Sequence, residues 1–336
     1  YNRLTIPKWL DDTVGNATRW LAQAFTSRNP AFVAANFLRD VQHAALIHGI
    51  DPGGDLRGFM RNIPPSMATI TRNVRGKSAP LKVAELGRLD ILNTADRKML
   101  IEQYGPERVM DALYEYFRDN GGETGFVHSK DVAEAEKEIK RYVAFRTGRV
   151  AELAKAAQPS ERPGIWLSYA AQKSGAKAIA TGLENASKVA ENTSRFATFL
   201  ASLDQGKSLL VAIDEAKNVT VNFNRRGTAT RPLGMFYVFF NASVQGAAQI
   251  ARVAFKNRKR FAKVVASLAA AGFLDSLLLD FFLAGSGDDG RDLVVSEYEK
   301  RNHLIIPYMG KNGFLKIPLP QGFRAFYGIG SLLHDP

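Results

Sequence analysis

Residues 219–285 read VTVNFNRRGTATRPLGMFYVFFNASVQGAAQIARVAFKNRKRFAKVVASLAAAGFLDSLLLDFFLAG, and this stretch decides the predicted fold. An apolar segment opens at Met235, a basic run covers residues 256–263, and the most hydrophobic run of the chain follows at residues 264–284. Apolar side chains three, four and seven residues apart predict a helix in the first segment. We interpret the stretch as a hydrophobic hairpin with a cationic hinge, central to packing and to function.

The same stretch carries an unusual excess of positive charge. No carboxylate occurs from residue 216 to residue 274, although ten basic residues fall in that window, and the whole chain has a net charge of +12. Such a surface favours nucleic acid or an anionic membrane, and the alternative is a set of solvated cations. For Arg225 and Arg226, helix capping or a salt bridge is a further alternative. The candidate contacts are Arg225, Arg226, Arg252, Lys256, Arg258, Lys259, Arg260 and Lys263.

On the N-terminal side, two helices are predicted first, over residues 9–25 and from Pro30 to about residue 48. Residues 51–80 are rich in Gly, Pro, Asn and Ser, which predicts an extended loop with at most one short helix. Residues 81–163 are read as a charged helical insertion. Within it, Thr94 is the expected cap of a helix that ends at Gly105, the next helix starts at Pro106, and a third covers residues 130–157.

On the C-terminal side of this insertion, long helical patterns continue to residue 218, and two β-prone runs follow at residues 303–319. The predicted fold class is therefore mostly α: a multi-helix domain with a peripheral helical lobe and a small C-terminal antiparallel β-hairpin. Residues 1–80 and 164–336 would form the main helical domain, with residues 81–163 as the lobe. A central multi-stranded sheet would contradict this prediction.

Residues 264–284 have the length of a membrane span. The 21 residues make about 31 Å of helix at roughly 1.5 Å per residue. Asp275 and Asp280 each cost about 2.5 to 3.5 kcal/mol near a bilayer centre, which roughly cancels the gain from the apolar residues. We therefore expect this helix to lie in the core of a soluble fold, with membrane association only under conditions that favour it.

The chain offers little that points to catalysis. There is no cysteine, which excludes disulfides and thiolate metal sites. The five histidines form no metal-ligand spacing, and two Gly-Lys-Ser segments lack the earlier glycine of a phosphate-binding loop. The sequence predicts no catalytic residue, no metal, no cofactor and no small-molecule substrate, and an enzyme with an unrecognised site is kept as an alternative.

Four segments together resemble the large polyvalent protein-associated domain of tailed phages. In the family order they are SRNPAFV with NFLRD at residues 27–40, VNFNRRG at 221–227, FFNASVQG at 239–246 and KIPLPQGF at 316–323. The matches extend from about residue 27 to residue 330, and residues 81–159 match nothing in the family. Such domains belong to very long proteins that are carried inside the virion and ejected with the genome.

The resemblance implies a non-enzymatic structural module that acts in genome ejection or delivery across the host envelope. Enzymatic activity would then reside in other domains of the parent protein. One alternative is a sequence-independent DNA-binding module that coats or guides the phage genome, and another is a membrane-associating module of the ejection conduit. The implied partners are other virion and ejection proteins or copies of this chain, with phage DNA and the host membrane as further candidates. The implied location is the virion interior, and after ejection the host envelope or cytoplasm.

Overall fold

The computed structural model describes residues 30–123, 149–156, 176–220, 240–285, 295–308, 313–320 and 322–334. Helices dominate these ranges, and a two-stranded antiparallel sheet lies near their C-terminal end. The mostly α class with a small C-terminal β-hairpin is therefore confirmed. The elements are α1 (Pro30–Ile50), α2 (Leu56–Val74), α3 (Val83–Leu86), α4 (Thr94–Tyr104), α5 (Pro106–Asp119), α6 (Val150–Ala156), α7 (Ala176–Asp204), α8 (Leu209–Asn218), α9 (Phe240–Lys256), α10 (Arg258–Gly285), α11 (Glu297–Asn302), β1 (His303–Tyr308), β2 (Gly313–Pro318) and α12 (Arg324–His334).

Several sequence predictions fall outside the described ranges. These are the helix at residues 9–25, the pair Arg225 and Arg226, and residues 130–148 of the helix predicted over residues 130–157.

The helix α2 occupies residues that predict a loop, and that prediction is wrong. The helix begins after Asp55, whose side chain caps the first turn, and it continues through Pro64 and Pro65. A proline inside a helix usually costs about 3 kcal/mol or more. Phe59 and Ile70 of α2 are fully buried in clusters that include residues of α7. This long-range packing offsets the local cost of the prolines.

The boundary between α4 and α5 lies at Gly105 and Pro106, as the sequence predicts. Gly105 has φ +83°, in the region that favours glycine, and α5 begins at Pro106 and ends before Asn120. The cap of α4 is Asn93 rather than the predicted Thr94, because the Asn93 side chain accepts the N–H groups of the first turn. The capping and proline signals in the sequence therefore locate the ends of α4 and the start of α5 to within one residue.

The largest hydrophobic core joins α5 to α7. The ring centroids of Tyr114 and Phe196 lie 5.1 Å apart, and that of Phe117 lies 5.4 Å from those of Phe196 and Phe199. All four rings are fully buried. Among the described residues, the largest core therefore lies outside residues 219–285, contrary to the expectation that this stretch forms the centre of packing.

The helices α4 and α5 lie in this central core, whereas the sequence places them in a peripheral lobe. Leu100 and Leu113 of these helices belong to the same cluster as Leu200 of α7 and Ile213 of α8. Within the described residues, α4 and α5 therefore share one core with α7 and α8. The domain boundaries at residues 81 and 163 stay predictions.

The helix α10 packs most extensively on α12 rather than on α9, so the predicted helical hairpin is not the main contact. Two glycines allow the close approach. A Cβ atom at Gly272 would lie 2.1 Å from the carbonyl oxygen of Tyr327, and one at Gly330 would lie 1.8 Å from that of Ala269. The backbones of α10 and α12 therefore approach each other more closely than larger side chains would permit.

The β-hairpin lies where the sequence predicts it. β1 and β2 pair antiparallel, with His303 opposite Pro318 and Tyr308 opposite Gly313. Ile305 of β1 is buried in one cluster with Leu279 of α10. The hairpin therefore supports the C-terminal half of α10.

Candidate functional site

Six of the eight predicted contact residues lie together at the junction of α9 and α10. We call them the basic cluster: Arg252, Lys256, Arg258, Lys259, Arg260 and Lys263, all of them exposed. Arg225 and Arg226, predicted for the same surface, lie outside the described ranges.

Asn257 fixes the junction that presents the basic cluster. Its N–H donates to the carbonyl oxygen of Val253 at 3.1 Å, and its side-chain oxygen accepts the N–H of Arg260 at 3.2 Å. Its side-chain amide donates to the carbonyl oxygen of Ile50 at 3.4 Å. One residue thus ends α9, caps α10 and ties both helices to the end of α1.

The basic cluster is largely uncompensated by carboxylates. Lys256 Nζ lies 2.7 Å from Asp51 Oδ2. Partial burial acts to raise the pKa of Asp51, but the hydrogen bonds from Lys256 and from the N–H of Gly53 outweigh it and hold the pKa below its ordinary value. Within the described ranges, no ion pair joins the other five cations to a carboxylate. The cluster therefore presents a net positive surface.

An aromatic side chain that the sequence reasoning did not single out belongs to this surface. Phe255 is 74% exposed, and the guanidinium carbon of Arg258 lies 6.0 Å from the centre of its ring. The available signal was a phenylalanine placed directly before the basic run. A flat ring among cations can stack on a nucleic-acid base or enter a lipid headgroup layer.

A second surface lies toward the C-terminal ends of α10 and α12. Phe281 is 81% exposed and Leu333 is 70% exposed. Contacts between His334 of α12 and both Phe273 and Asp280 of α10 show that the two helices adjoin here. We call this the apolar surface, and its residues are Phe273, Leu274, Leu277, Leu278, Phe281, Ile329, Leu332 and Leu333.

The expectation that residues 264–284 lie in the core is therefore wrong. Among the described residues, the segment Arg258–Phe282 is long and apolar enough to cross a membrane, with a mean hydropathy of 1.7 in its most apolar window. Only 17% of that window is buried. Hydropathy reports the preference of side chains for an apolar medium, but it does not say which of them find a protein partner.

The polar groups of α10 are satisfied beneath the apolar surface. Asp275 is 9% exposed, and its Oδ2 accepts the Tyr327 hydroxyl at 2.5 Å and the N–H of Ile305 at 3.1 Å. The hydroxyls of Ser276 and Ser331 lie 2.8 Å apart. Of the two carboxylates that count against membrane insertion in the sequence, Asp275 is thus turned inward and hydrogen-bonded, whereas Asp280 is exposed.

A charged cluster lies in the interior, away from both surfaces. Arg195 of α7 is fully buried, and its Nη1 donates to the carbonyl oxygen of Glu191 at 3.2 Å. Burial lowers the pKa of Arg195, while Glu191, Asp40 and Glu123 act to raise it. Burial raises the pKa of Asp40 to about 7, although Arg195 favours its charged form. We assign this cluster to the stability of the fold, because the surrounding carboxylates favour the charged form of the buried Arg195.

A pocket of about 390 Å³ adjoins the basic cluster between α1, α8 and α9. Arg252 and Lys256 line it together with Asp51, Asp214 and Glu215. Since both signs of charge meet there, the pocket does not select a ligand by charge. The described ranges contain no group of three or more side chains that could hold a metal ion.

No family model, curated protein or solved structure matches this chain. The site is therefore interpreted from its own geometry: a positive surface at one end of α10 and an exposed apolar surface at the other.

Proposed function

We propose that the chain is a non-enzymatic module that binds an anionic membrane during delivery of a phage genome across the host envelope. The observation that carries this proposal is the apolar surface, whose eight large side chains are exposed on two adjoining helices. Soluble monomers rarely expose contiguous apolar patches larger than a few hundred Å². Acyl chains of a lipid layer would cover such a surface.

The basic cluster supports the same proposal. A Lys or Arg near an anionic lipid surface contributes about 1 kcal/mol to binding. Lys263 and Phe273 are ten residues apart on α10, which corresponds to about 15 Å of helix. The helix therefore offers cations to headgroup phosphates and apolar side chains to the acyl region within one short distance.

The phage setting rests on the resemblance of four ordered segments to the large polyvalent protein-associated domain. In that setting the partners would be other virion and ejection proteins or further copies of this chain. The chain would be carried in the virion and would reach the host envelope after ejection.

Liposome flotation tests the membrane role. The chain should float with phosphatidylcholine vesicles that contain phosphatidylglycerol, and more weakly with phosphatidylcholine alone. Replacing Leu277, Leu278 and Phe281 by Ser should weaken binding at least about tenfold, because full burial of each such side chain contributes about 1.5–3 kcal/mol.

The matched control replaces exposed apolar residues of α8, Leu210 and Val211, by Ser. This variant should float like the unmodified chain. If the unmodified chain stays at the bottom of the gradient with anionic vesicles, the proposed membrane role is wrong.

A second candidate function is sequence-independent binding of DNA, favoured by Phe255 among the cations of the basic cluster. Affinity for a fluorescent oligonucleotide should fall steeply with salt, because phosphate contacts release counterions. Phe255→Ala should weaken binding to a single strand by about 1–3 kcal/mol, the range for one stacked base. Anisotropy titrations at several salt concentrations measure both effects, and an absence of binding at low salt excludes this candidate.

A further inference from the structure

We propose that α10 and α12 enter the lipid layer together, as one preformed two-helix wedge, with Asp275 sealed between them. This inference rests on the proposed membrane function and adds which elements penetrate. The competing arrangement is that α10 leaves α12 and inserts alone.

The backbone contact between the two helices is of a kind that persists in lipid. Gly272 and Gly330 bring α10 and α12 together where any Cβ atom would clash with a carbonyl oxygen. Small residues at helix interfaces allow this close packing in membranes, where dispersion contacts and hydrogen bonds hold helices together. The pair therefore does not depend on water to stay associated.

The polar groups of α10 give a second reason for joint entry. Separation from α12 would remove the Tyr327 hydroxyl from Asp275 and would part the hydroxyls of Ser276 and Ser331. Each group would then lose a partner in a medium that offers no replacement. While the helices stay paired, Asp275 also keeps the N–H of Ile305 from β1.

The outer face of the pair completes the argument. α10 contributes five exposed apolar residues, and α12 contributes Ile329, Leu332 and Leu333. A hydrogen bond between His334 and Asp280, 2.9 Å between Nε2 and Oδ2, joins the helices at the edge of this face. Lys263 and Phe281 are separated by about 27 Å of helix, so the basic cluster can remain among headgroups while the wedge penetrates.

Single labelled cysteines test the wedge, and the chain has no native cysteine to interfere. An environment-sensitive fluorophore is attached to Leu278→Cys on α10, to Leu333→Cys on α12, and to the control Leu210→Cys on α8. All three positions are exposed in the free chain. Spectra are recorded with and without vesicles that contain phosphatidylglycerol, and with a quencher attached to the lipid chains.

The wedge predicts a blue shift and lipid quenching at positions 278 and 333, and neither at position 210. A response at position 278 alone overturns the wedge and leaves the proposed membrane binding intact. A response at neither position removes the proposed function together with this inference.

A covalent link provides a second measurement on the folded chain. The variant Ser276→Cys with Ser331→Cys places two thiols where the native hydroxyls are 2.8 Å apart. The oxidised form, in which α10 and α12 cannot separate, should float with anionic vesicles as well as the reduced form does. Flotation of the reduced form only would show that the helices must part, and would overturn the wedge.

Discussion

The hydroxyl of Tyr327 in α12 donates a hydrogen bond of 2.5 Å to Oδ2 of Asp275 in α10. The same oxygen accepts the N–H of Ile305 in β1 at 3.1 Å. One carboxylate oxygen therefore links two helices and the β-hairpin, directly beneath the apolar surface. This contact keeps the carboxyl group of Asp275, which lies in an apolar helix, away from solvent.

Removal of the Tyr327 hydroxyl should destabilise the fold. Tyr327→Phe deletes a hydrogen bond to a carboxylate, and such bonds contribute about 1.5–3 kcal/mol. Urea unfolding of the variant should show a loss in that range. The control Tyr298→Phe changes an exposed tyrosine and should leave stability nearly unchanged. Equal stability of both variants would mean that the hydroxyl contact contributes little.

Gly272→Ala should separate α10 from α12. The new Cβ atom would lie 2.1 Å from the carbonyl oxygen of Tyr327, so the helices must shift. Overpacking of this kind costs about 1–3 kcal/mol. Gly182→Ala in α7 meets nothing within 4 Å and should be neutral or should stabilise by up to about 1 kcal/mol. Thermal unfolding of both variants measures the difference, and similar melting temperatures would contradict close backbone contact at Gly272.

Charge removal in the basic cluster should weaken membrane binding in a salt-dependent way. The triple variant Arg258→Ala, Lys259→Ala and Arg260→Ala loses about 1 kcal/mol per cation at an anionic surface. The affinity for vesicles that contain phosphatidylglycerol, measured by flotation at low salt, should therefore fall by about two orders of magnitude.

The matched control for this variant removes three exposed cations elsewhere, Arg75, Lys77 and Lys98. Its net charge equals that of the first variant, so only the position of the charge differs. Equal loss in both would show that total charge, rather than the basic cluster, drives binding.

The fold should lose stability in mild acid through His48. Burial lowers the pKa of His48 from its ordinary value of 6.5 to about 4, and its Nε2 lies 3.0 Å from the Thr198 hydroxyl. Between these two pH values the unfolded chain binds a proton that the folded chain does not. His48 therefore does not reduce the free energy of unfolding above pH 6.5. Below that value, its titration reduces the free energy of unfolding as the pH falls toward 4, by up to about 1.4 kcal/mol per pH unit.

The measurement is urea unfolding at pH 7 and pH 5, for the unmodified chain and for His48→Gln. The variant should be less stable at pH 7, and its stability should fall less between the two pH values. Parallel changes in the two proteins would show that His48 is not the group that titrates.

Truncation of an aromatic core residue should cost far more stability than truncation of the exposed aromatic residue Phe255. Phe199→Ala empties a fully buried site beside Phe117 and should cost about 3–5 kcal/mol. Phe255→Ala removes an exposed ring and should change stability by less than about 0.5 kcal/mol. Denaturant midpoints compare the two, and a large loss for Phe255→Ala would indicate a packing role.

The sequence by itself determined the helical class, the β-hairpin and the position of the basic cluster. These features depend on neighbours in the chain: the β-prone runs that form β1 and β2, the Gly105–Pro106 boundary, and a run of cations without an intervening acid. Local patterns of this kind specify local structure, because side chains a few residues apart share one helix face or one strand face.

Only the tertiary structure decided which apolar residues are buried. Packing on α7 stabilises α2 through Pro64 and Pro65, and the largest core of the described residues surrounds Phe196 instead of the described part of residues 219–285. The tertiary structure also turned Asp275 inward to Tyr327 and left Phe281 exposed. Burial depends on partners that are distant in the sequence, and no local periodicity in α10 records which of its faces α12 will cover.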